Sequence, residues 1–136
     1  MKKNISSWGN TSSKDIHIID DIDNNKSTSL AIGNNNSYGD ASISASNHAI
    51  KLRNDLDGLF SVNQTIEEYL NRNKFGLYGI PGKRNVTLGG AVASDVHGKD
   101  NIWGGSFIKN IEELTLKTSS GLIFKVSREK NKEIFY

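Results

Sequence analysis

The chain has 136 residues, 35% hydrophobic and 24% charged, which suits one domain with a modest core. The chain has 17 Lys and Arg and 15 Asp and Glu, a formal net charge of +2. Because the two signs are interleaved along the chain, the sequence argues against a basic nucleic-acid-binding face. The absence of cysteine excludes disulfides, zinc–thiolate centres, iron–sulfur clusters and a cysteine nucleophile. Because no stretch resembles a secretory signal or the roughly 20 apolar residues of a membrane span, we expect a cytoplasmic protein with no membrane span.

The first part of the sequence predicts short strands separated by polar loops. Residues 1–30 are polar, and within them residues 16–18 predict one short strand. Residues 29–32 predict a strand that feeds a loop at 33–40, since Gly and Asn tolerate positive φ. Two further short strands are predicted at 49–52 and 59–62, with a turn between them at 54–58.

The segment after residue 64 carries the clearest helix signal. Thr65 suits the N-cap position, and Glu68 three residues later completes a capping box. Apolar residues at i, i+3 and i+4 then share one face. We therefore predict a helix that starts after Thr65 and ends near Lys74.

Glycines divide the rest of the chain into short elements. Residues 111–118 and 122–126 flank a Ser-Ser-Gly turn and predict a hairpin. The intervening predictions are a turn at 79–82, a strand at 86–88 broken by two glycines, a helix at 91–97 and a loop at 98–105. Strands that alternate with short helices and glycine turns indicate an α+β domain or an α/β domain around a nucleotide-type ligand, and α+β is our prediction.

The loop at residues 33–40 is the first candidate binding element. A pyrophosphate needs several backbone N–H groups that converge on it without obstructing side chains, and a strand that ends in a Gly/Asn loop supplies them. An ordinary turn explains the same residues, because Asn and Ser are frequent in turns.

The second candidate is the pair Gly89-Gly90 and the helix of small residues that follows. The glycines let a ligand approach the backbone, and a helix N-terminus presents free N–H groups and partial positive charge to an anion. Small side chains at Ala91, Ala93 and Ser94 would let a flat ring pack closely. Tight helix–strand packing also requires such residues, and the spacing differs from the dinucleotide-binding GxGxxG.

His97 and Lys99 are the candidate catalytic residues, since such a pair can polarise or deprotonate a hydroxyl. A packed or solvated histidine is the plainer alternative. We expect His17 and His48 on the surface, and without HxH or HExxH spacing we predict no metal site. Residues 103–107, Gly-rich with aromatics, predict either a turn that lines a pocket or a loop anchored by buried aromatics.

The order of three segments resembles the FAD-binding domain of the vanillyl-alcohol-oxidase (PCMH-type) flavoproteins. The segments are residues 32–40 (IGNNNSYGD), 81–99 (PGKRNVTLGGAVASDVHGK) and 105–107 (GSF). Within that family the resemblance is closest to the decaprenylphosphoryl-ribose oxidase group, with aldonolactone and alditol oxidases as cousins. Trp8-Gly9 also fits the opening of that group.

The resemblance implies a role for each segment. The FAD pyrophosphate would be held by the first loop, at Gly33, Asn34, Asn35, Asn36, Ser37, Tyr38 and Gly39. The flavin and ribityl chain would be lined by Gly82, Thr87, Gly89, Gly90, Ala91 and Ser94. His97 and Lys99 would lie toward the substrate face of the isoalloxazine. Some relatives attach FAD covalently through a His at the position of Asn36, so here we expect noncovalent FAD.

The resemblance also implies a reaction, the oxidation of a CH–OH group of a sugar, polyol or aldonolactone with hydride transfer to flavin. Family members carry a further glycine-rich loop and a substrate domain after a segment such as residues 133–136. We therefore expect residues 1–136 to be a partial FAD-binding domain without its substrate domain, and inactive alone. Two alternatives stay open: the chain acts with a second polypeptide that carries that domain, or it is an inactive remnant that binds nucleotide weakly or not at all.

Overall fold

The computed structural model describes residues 1–19, 29–51 and 63–135. Two sheets and several short helices make up this part of the chain. In chain order the elements are β1 (Lys2–Ser6), β2 (Ser13–Ile19), β3 (Leu30–Ala31), β4 (His48–Ile50), α1 (Ile66–Arg72), α2 (Leu88–Ala93), α3 (Asn101–Gly104), a 3₁₀ helix (Phe107–Asn110), β5 (Glu113–Lys117), β6 (Ile123–Ser127) and α4 (Lys132–Phe135). No helix in these ranges has the length and hydropathy that a membrane crossing requires.

The first four strands form one mixed sheet in the order β1-β2-β4-β3. β1 pairs with β2 antiparallel, whereas β4 is parallel to both β2 and β3. The strand predicted at 16–18 is confirmed as β2, which is longer than predicted. The strands predicted at 29–32 and 49–52 correspond to β3 and β4. The strand predicted at 59–62 and the turn at 54–58 lie outside the described residues.

β1 is a strand that the sequence pattern does not predict. Most of its side chains are exposed, and Ile5 is its one buried residue. Ile5 packs in a small core with Ile16 of β2, Ala49 of β4 and Ile32, the residue that follows β3. An edge strand that contributes a single apolar residue shows too little alternation to be recognised from its composition.

Helix α1 confirms the prediction made from the capping box. The backbone N–H of Glu68 donates to Thr65 Oγ1 at 3.1 Å, and the N–H of Thr65 donates to the Glu68 carboxylate at 2.8 Å. The helix ends at Arg72, close to the expected end, where the Asn73 side chain donates to the carbonyl of Tyr69 at 3.0 Å. Local side-chain chemistry therefore sets both ends of this helix.

Thr65→Ala is expected to lower the free energy of unfolding by about 1 kcal/mol, because an N-cap acceptor is lost.

The hydrogen bond from the Thr65 backbone holds the pKa of Glu68 below its ordinary value of 4.5. The carboxylate therefore stabilises the fold above the unfolded-state pKa, and this contribution is lost as pH falls through the lower folded-state pKa. Urea unfolding of wild type and Glu68→Gln should show a stability gap at neutral pH that narrows as the pH falls through the folded-state pKa of Glu68. A gap of equal size above and below that pKa would contradict this account.

The second core lies under α1 and α2 and contains Ile66, Ala91 and Phe107, all at most 1% exposed. The N–H of Ile66 donates to the carbonyl of Val86 at 2.9 Å, and the N–H of Leu88 donates to the carbonyl of Gln64 at 2.8 Å. These bonds join the starts of the two helices side by side.

Three local predictions in this half are wrong. The strand expected at 86–88 is a single bridge between Thr65 and Thr87. Thr87 is the N-cap of α2, so the helix begins at Leu88 and includes both glycines, and the helix expected at 91–97 ends at Ala93. The loop expected at 98–105 contains α3, whose last turn is closed by the carbonyl of Asp100 accepting from the N–H of Gly104 at 2.7 Å.

The hairpin predicted near the end of the chain is confirmed. β5 and β6 pair antiparallel, with Leu116 opposite Phe124. Gly121 in the connecting turn has φ +85°, a value that favours glycine. Lys125 and Glu113 form a cross-strand ion pair at 2.7 Å, and α4 packs against β6.

Candidate functional site: a basic, amide-lined groove

The fold brings two of the sequence-predicted segments together. A Cβ atom at Gly33 would overlap Thr87 Oγ1 and lie 3.3 Å from Thr87 Cγ2. The Asn34 side-chain amide donates to the carbonyl of Asn85 at 2.9 Å, and that of Asn36 donates to the same carbonyl at 3.3 Å. The loop at residues 33–40, called the asparagine loop below, therefore docks on the turn that precedes α2.

A groove of about 410 Å³ opens beside this junction, within the size range of ligand sites. One wall is residues 3–10 of the β1–β2 hairpin, and the other is residues 34–36 with Lys83 and Asn85. This lining, all within the described residues, offers the ammonium groups of Lys3 and Lys83, several amides and hydroxyls, and no carboxylate. Such a surface suits an anionic ligand that also carries hydroxyl groups.

The asparagine loop has backbone geometry that suits an anion. Asn35 has φ +53° and Gly39 has φ +60°, and left-handed residues of this kind help successive N–H groups converge. Within the described ranges, nothing accepts a hydrogen bond from the backbone N–H groups of residues 34–39. Asn35 Oδ1 is buried without a donor in the same part of the chain.

An aromatic pair joins the two walls of the groove. The rings of Trp8 and Tyr38 meet edge to face with centroids 4.8 Å apart. Trp8 lines the groove and is 45% exposed, whereas Tyr38 is 75% exposed. This contact ties the asparagine loop to the β1–β2 hairpin.

The start of α2 is occupied mainly by contacts within the protein. Thr87 is 2% exposed, and its hydroxyl accepts from the N–H of Gly90 at 3.1 Å. The N–H of Leu88 is bonded to a backbone carbonyl. Gly89 lies in the same first turn. We expected this helix start to present a set of free N–H groups. Two of these groups, on Leu88 and Gly90, are instead hydrogen-bonded within the protein.

The other residues expected at the flavin side lie outside the groove lining. Ala91 is fully buried and belongs to the second core. Ser94 is the C-cap of α2, where its N–H donates to the carbonyl of Gly90. Gly82 is exposed and precedes the groove residue Lys83.

His97 and Lys99 are exposed, and neither lines the groove. His97 pairs with Ser106 through an isolated bridge. Between the two candidates, a Cβ atom at Gly98 would overlap the carbonyl of Ile80, so close backbone packing requires this glycine. The motif thus has a structural role that is independent of its two candidate catalytic side chains.

For the aromatic segment at 103–107 the structure supports the loop anchored by a buried aromatic, and none of its residues lines the groove. Phe107 is 1% exposed and anchors the segment in the second core, whereas Trp103 is 88% exposed. The groove residues that sequence reasoning missed are in the hairpin, together with Lys83 and Asn85. The last two lie inside the segment that carried the family resemblance, and their basic and amide groups are the signal that marks them.

The groove is basic, rich in amides and bounded on one side by residues 34–36 of the Gly/Asn loop. No family model matches the chain. The chain is 43% identical over 42 residues to the decaprenylphosphoryl-beta-D-ribose oxidase of Mycolicibacterium smegmatis, a match that covers 31% of this chain and 9% of that protein. It is 40% identical over 48 residues to an uncharacterized protein in the mprA 5′ region of Streptomyces coelicolor, covering 35% of this chain and 13% of that protein. The chain thus spans about a tenth of the length of these relatives, and over this short stretch it is similar to an oxidase.

Proposed function

We propose that the chain is the FAD-binding portion of an oxidoreductase of the PCMH type, which oxidises a CH–OH group of a sugar, polyol or aldonolactone. The observation that carries the proposal is the docking of the asparagine loop on Asn85 and Thr87 beside a basic groove. The partial similarity to an oxidase supports the oxidoreductase class. The order of the loop and the glycine turn along the chain supports FAD as the cofactor.

The groove fits the phosphate end of FAD better than the flavin end. Lys3 and Lys83 would balance the charge of a pyrophosphate, and the backbone of residues 34–39 would donate hydrogen bonds to it. Asn35 Oδ1 would accept from a ribose hydroxyl. The groove volume of about 410 Å³ accommodates part of a dinucleotide, so the proposal places the flavin beyond it, toward residues 82–94.

The chemistry that FAD would supply is acceptance of the hydride from the carbinol carbon. Removal of the hydroxyl proton falls to the chain, and we assign it to His97 and Lys99, whose exposed side chains are open to a substrate. General base help of this kind contributes on the order of 10²–10⁴-fold. Most of the rate enhancement comes from positioning the substrate. We assign that positioning to a second polypeptide or a further domain.

The proposal is tested by incubating the purified chain with FAD and removing free flavin on a desalting column. We expect a flavin absorption band to travel with the protein. A colourless protein fraction would favour the alternative of a remnant that holds no nucleotide. Polyols, aldonolactones and phosphosugars added without oxygen should leave the flavin band of the chain alone unbleached, because the groups that position the substrate lie in a second polypeptide or a further domain.

The bound FAD is expected to be noncovalent, because Asn36 stands where some relatives of this family carry the attaching histidine. The Asn36 side chain donates instead to the backbone of Asn85 at 3.3 Å. Acid precipitation of the yellow protein should leave the flavin in the supernatant. Flavin that remains in the pellet after washing would show that another side chain forms the link.

A further inference from the structure

Two histidines stand side by side on the outer face of the four-stranded sheet. His17 on β2 and His48 on β4 are paired in register, and their ring centroids are 5.8 Å apart with 31° between the planes. Ile16, which precedes His17, and Ala49, which follows His48, are both fully buried. Because side chains alternate along a strand, both imidazoles lie on the face opposite to the core.

We propose that His17 and His48 form a binding site for a divalent late transition-metal ion such as Zn²⁺. Neutral imidazole is a preferred ligand of zinc, nickel and copper. A metal ion about 2.1 Å from one nitrogen of each ring holds the two ring centroids roughly 4.5–6 Å apart. The observed 5.8 Å falls in this range, so the spacing of the two rings is compatible with one shared ion.

The surroundings leave the site accessible. His17 is exposed and His48 is half-buried. On β1 the residue opposite His17 is Lys2, which forms an ion pair with Asp15 at 3.2 Å. Asn4 also donates to Asp15 at 2.9 Å, and these bonds hold the pKa of that carboxyl below its ordinary value. The Lys2 charge is thus offset by a carboxylate on the same face.

The site would use two protein ligands and complete its coordination with water. In the described part of the chain, no group of three His, Asp or Glu side chains could surround an ion. A histidine that binds metal through one ring nitrogen can keep a hydrogen-bond partner on the other. A two-histidine site therefore remains compatible with other contacts of these rings. The open positions on the ion would be available to an external ligand.

Calorimetric titration of the full chain with Zn²⁺ near neutral pH tests the proposal. We expect a single binding event that is weakened by at least about tenfold in His17→Gln and in His48→Gln, because each removes one ligand. His97→Gln is the matched control, since it changes the third histidine of the chain, and should bind as wild type does. Wild-type affinity in both ligand variants, or loss of binding in His97→Gln, would overturn the proposal.

A second measurement avoids substitution of the half-buried His48. Proton NMR of the wild-type chain reports the imidazole ring resonances of all three histidines. Zn²⁺ should shift those of His17 and His48 together, at the same ion concentration, and leave those of His97 in place. A shift of His97, or of only one member of the pair, would contradict a shared site.

Discussion

Replacing Gly79 with alanine is expected to disrupt the half of the molecule that is built around Phe107. Gly79 has φ +64°, which costs an L-residue about 1–2 kcal/mol. The added Cβ would lie 2.7 Å from the backbone N of Phe107 and 2.7 Å from the carbonyl carbon of Ser106. Backbone atoms cannot rotate away as a side-chain tip does, so the 3₁₀ helix must shift and the buried Phe107 ring must move with it. We expect the free energy of unfolding to fall by at least about 3 kcal/mol, a large part of the 5–15 kcal/mol that is typical of a domain.

Urea unfolding followed by circular dichroism measures this loss. Gly76→Ala is the matched control, because that glycine has no positive φ and a Cβ there meets nothing within 4 Å. The control should stay within about 0.5 kcal/mol of wild type or be slightly more stable. A Gly79→Ala protein that unfolds at the wild-type urea concentration would show that this turn tolerates a side chain.

Gly33→Ala is expected to weaken FAD binding by at least about tenfold, or 1.4 kcal/mol. The new methyl group would overlap Thr87 Oγ1, the buried hydroxyl that caps α2. Thr87 is 2% exposed and has little room to move, so the asparagine loop must lift away from the turn. The amide bonds from Asn34 and Asn36 to Asn85 would then lengthen or break, and the loop would lose its docked position.

Flavin fluorescence during titration with FAD measures the affinity of this variant. Gly76→Ala again serves as the control, because it adds the same methyl group away from the groove. A circular dichroism spectrum of each variant separates loss of the ligand from loss of the fold. A folded Gly33→Ala protein with wild-type affinity would mean that docking of the loop has no part in ligand binding.

Elements set by neighbouring residues could be predicted from the sequence. Thr65 and Glu68 are three positions apart and specify the start of α1 by themselves. The hairpin around Gly121 combines a local turn with two apolar runs. The loop at 33–40 was also predicted as a loop, because its Gly and Asn residues suit left-handed backbone.

Elements set by distant contacts could not be predicted in the same way. β1 depends on its pairing with β2 and offers one buried residue as a signal. The start of α2 is fixed by Thr87, which bridges to Thr65 and fills the space beside Gly33. The groove itself needs the hairpin, the asparagine loop and Lys83, which are far apart along the chain. The composition of each segment indicates its chemistry, whereas only the fold shows which segments meet.

We propose that the groove holds the phosphate end of FAD. Parallel titrations of the chain with FAD and with riboflavin, which has the same ring system and no phosphate, test it most directly. Binding of FAD should be saturable and should change the flavin fluorescence. Riboflavin, which lacks both the phosphates and the adenosine, should bind at least about tenfold more weakly, because charge-assisted bonds to phosphate by themselves contribute more than 1.4 kcal/mol. Equal affinity for the two flavins, or no binding of FAD at all, would contradict the account.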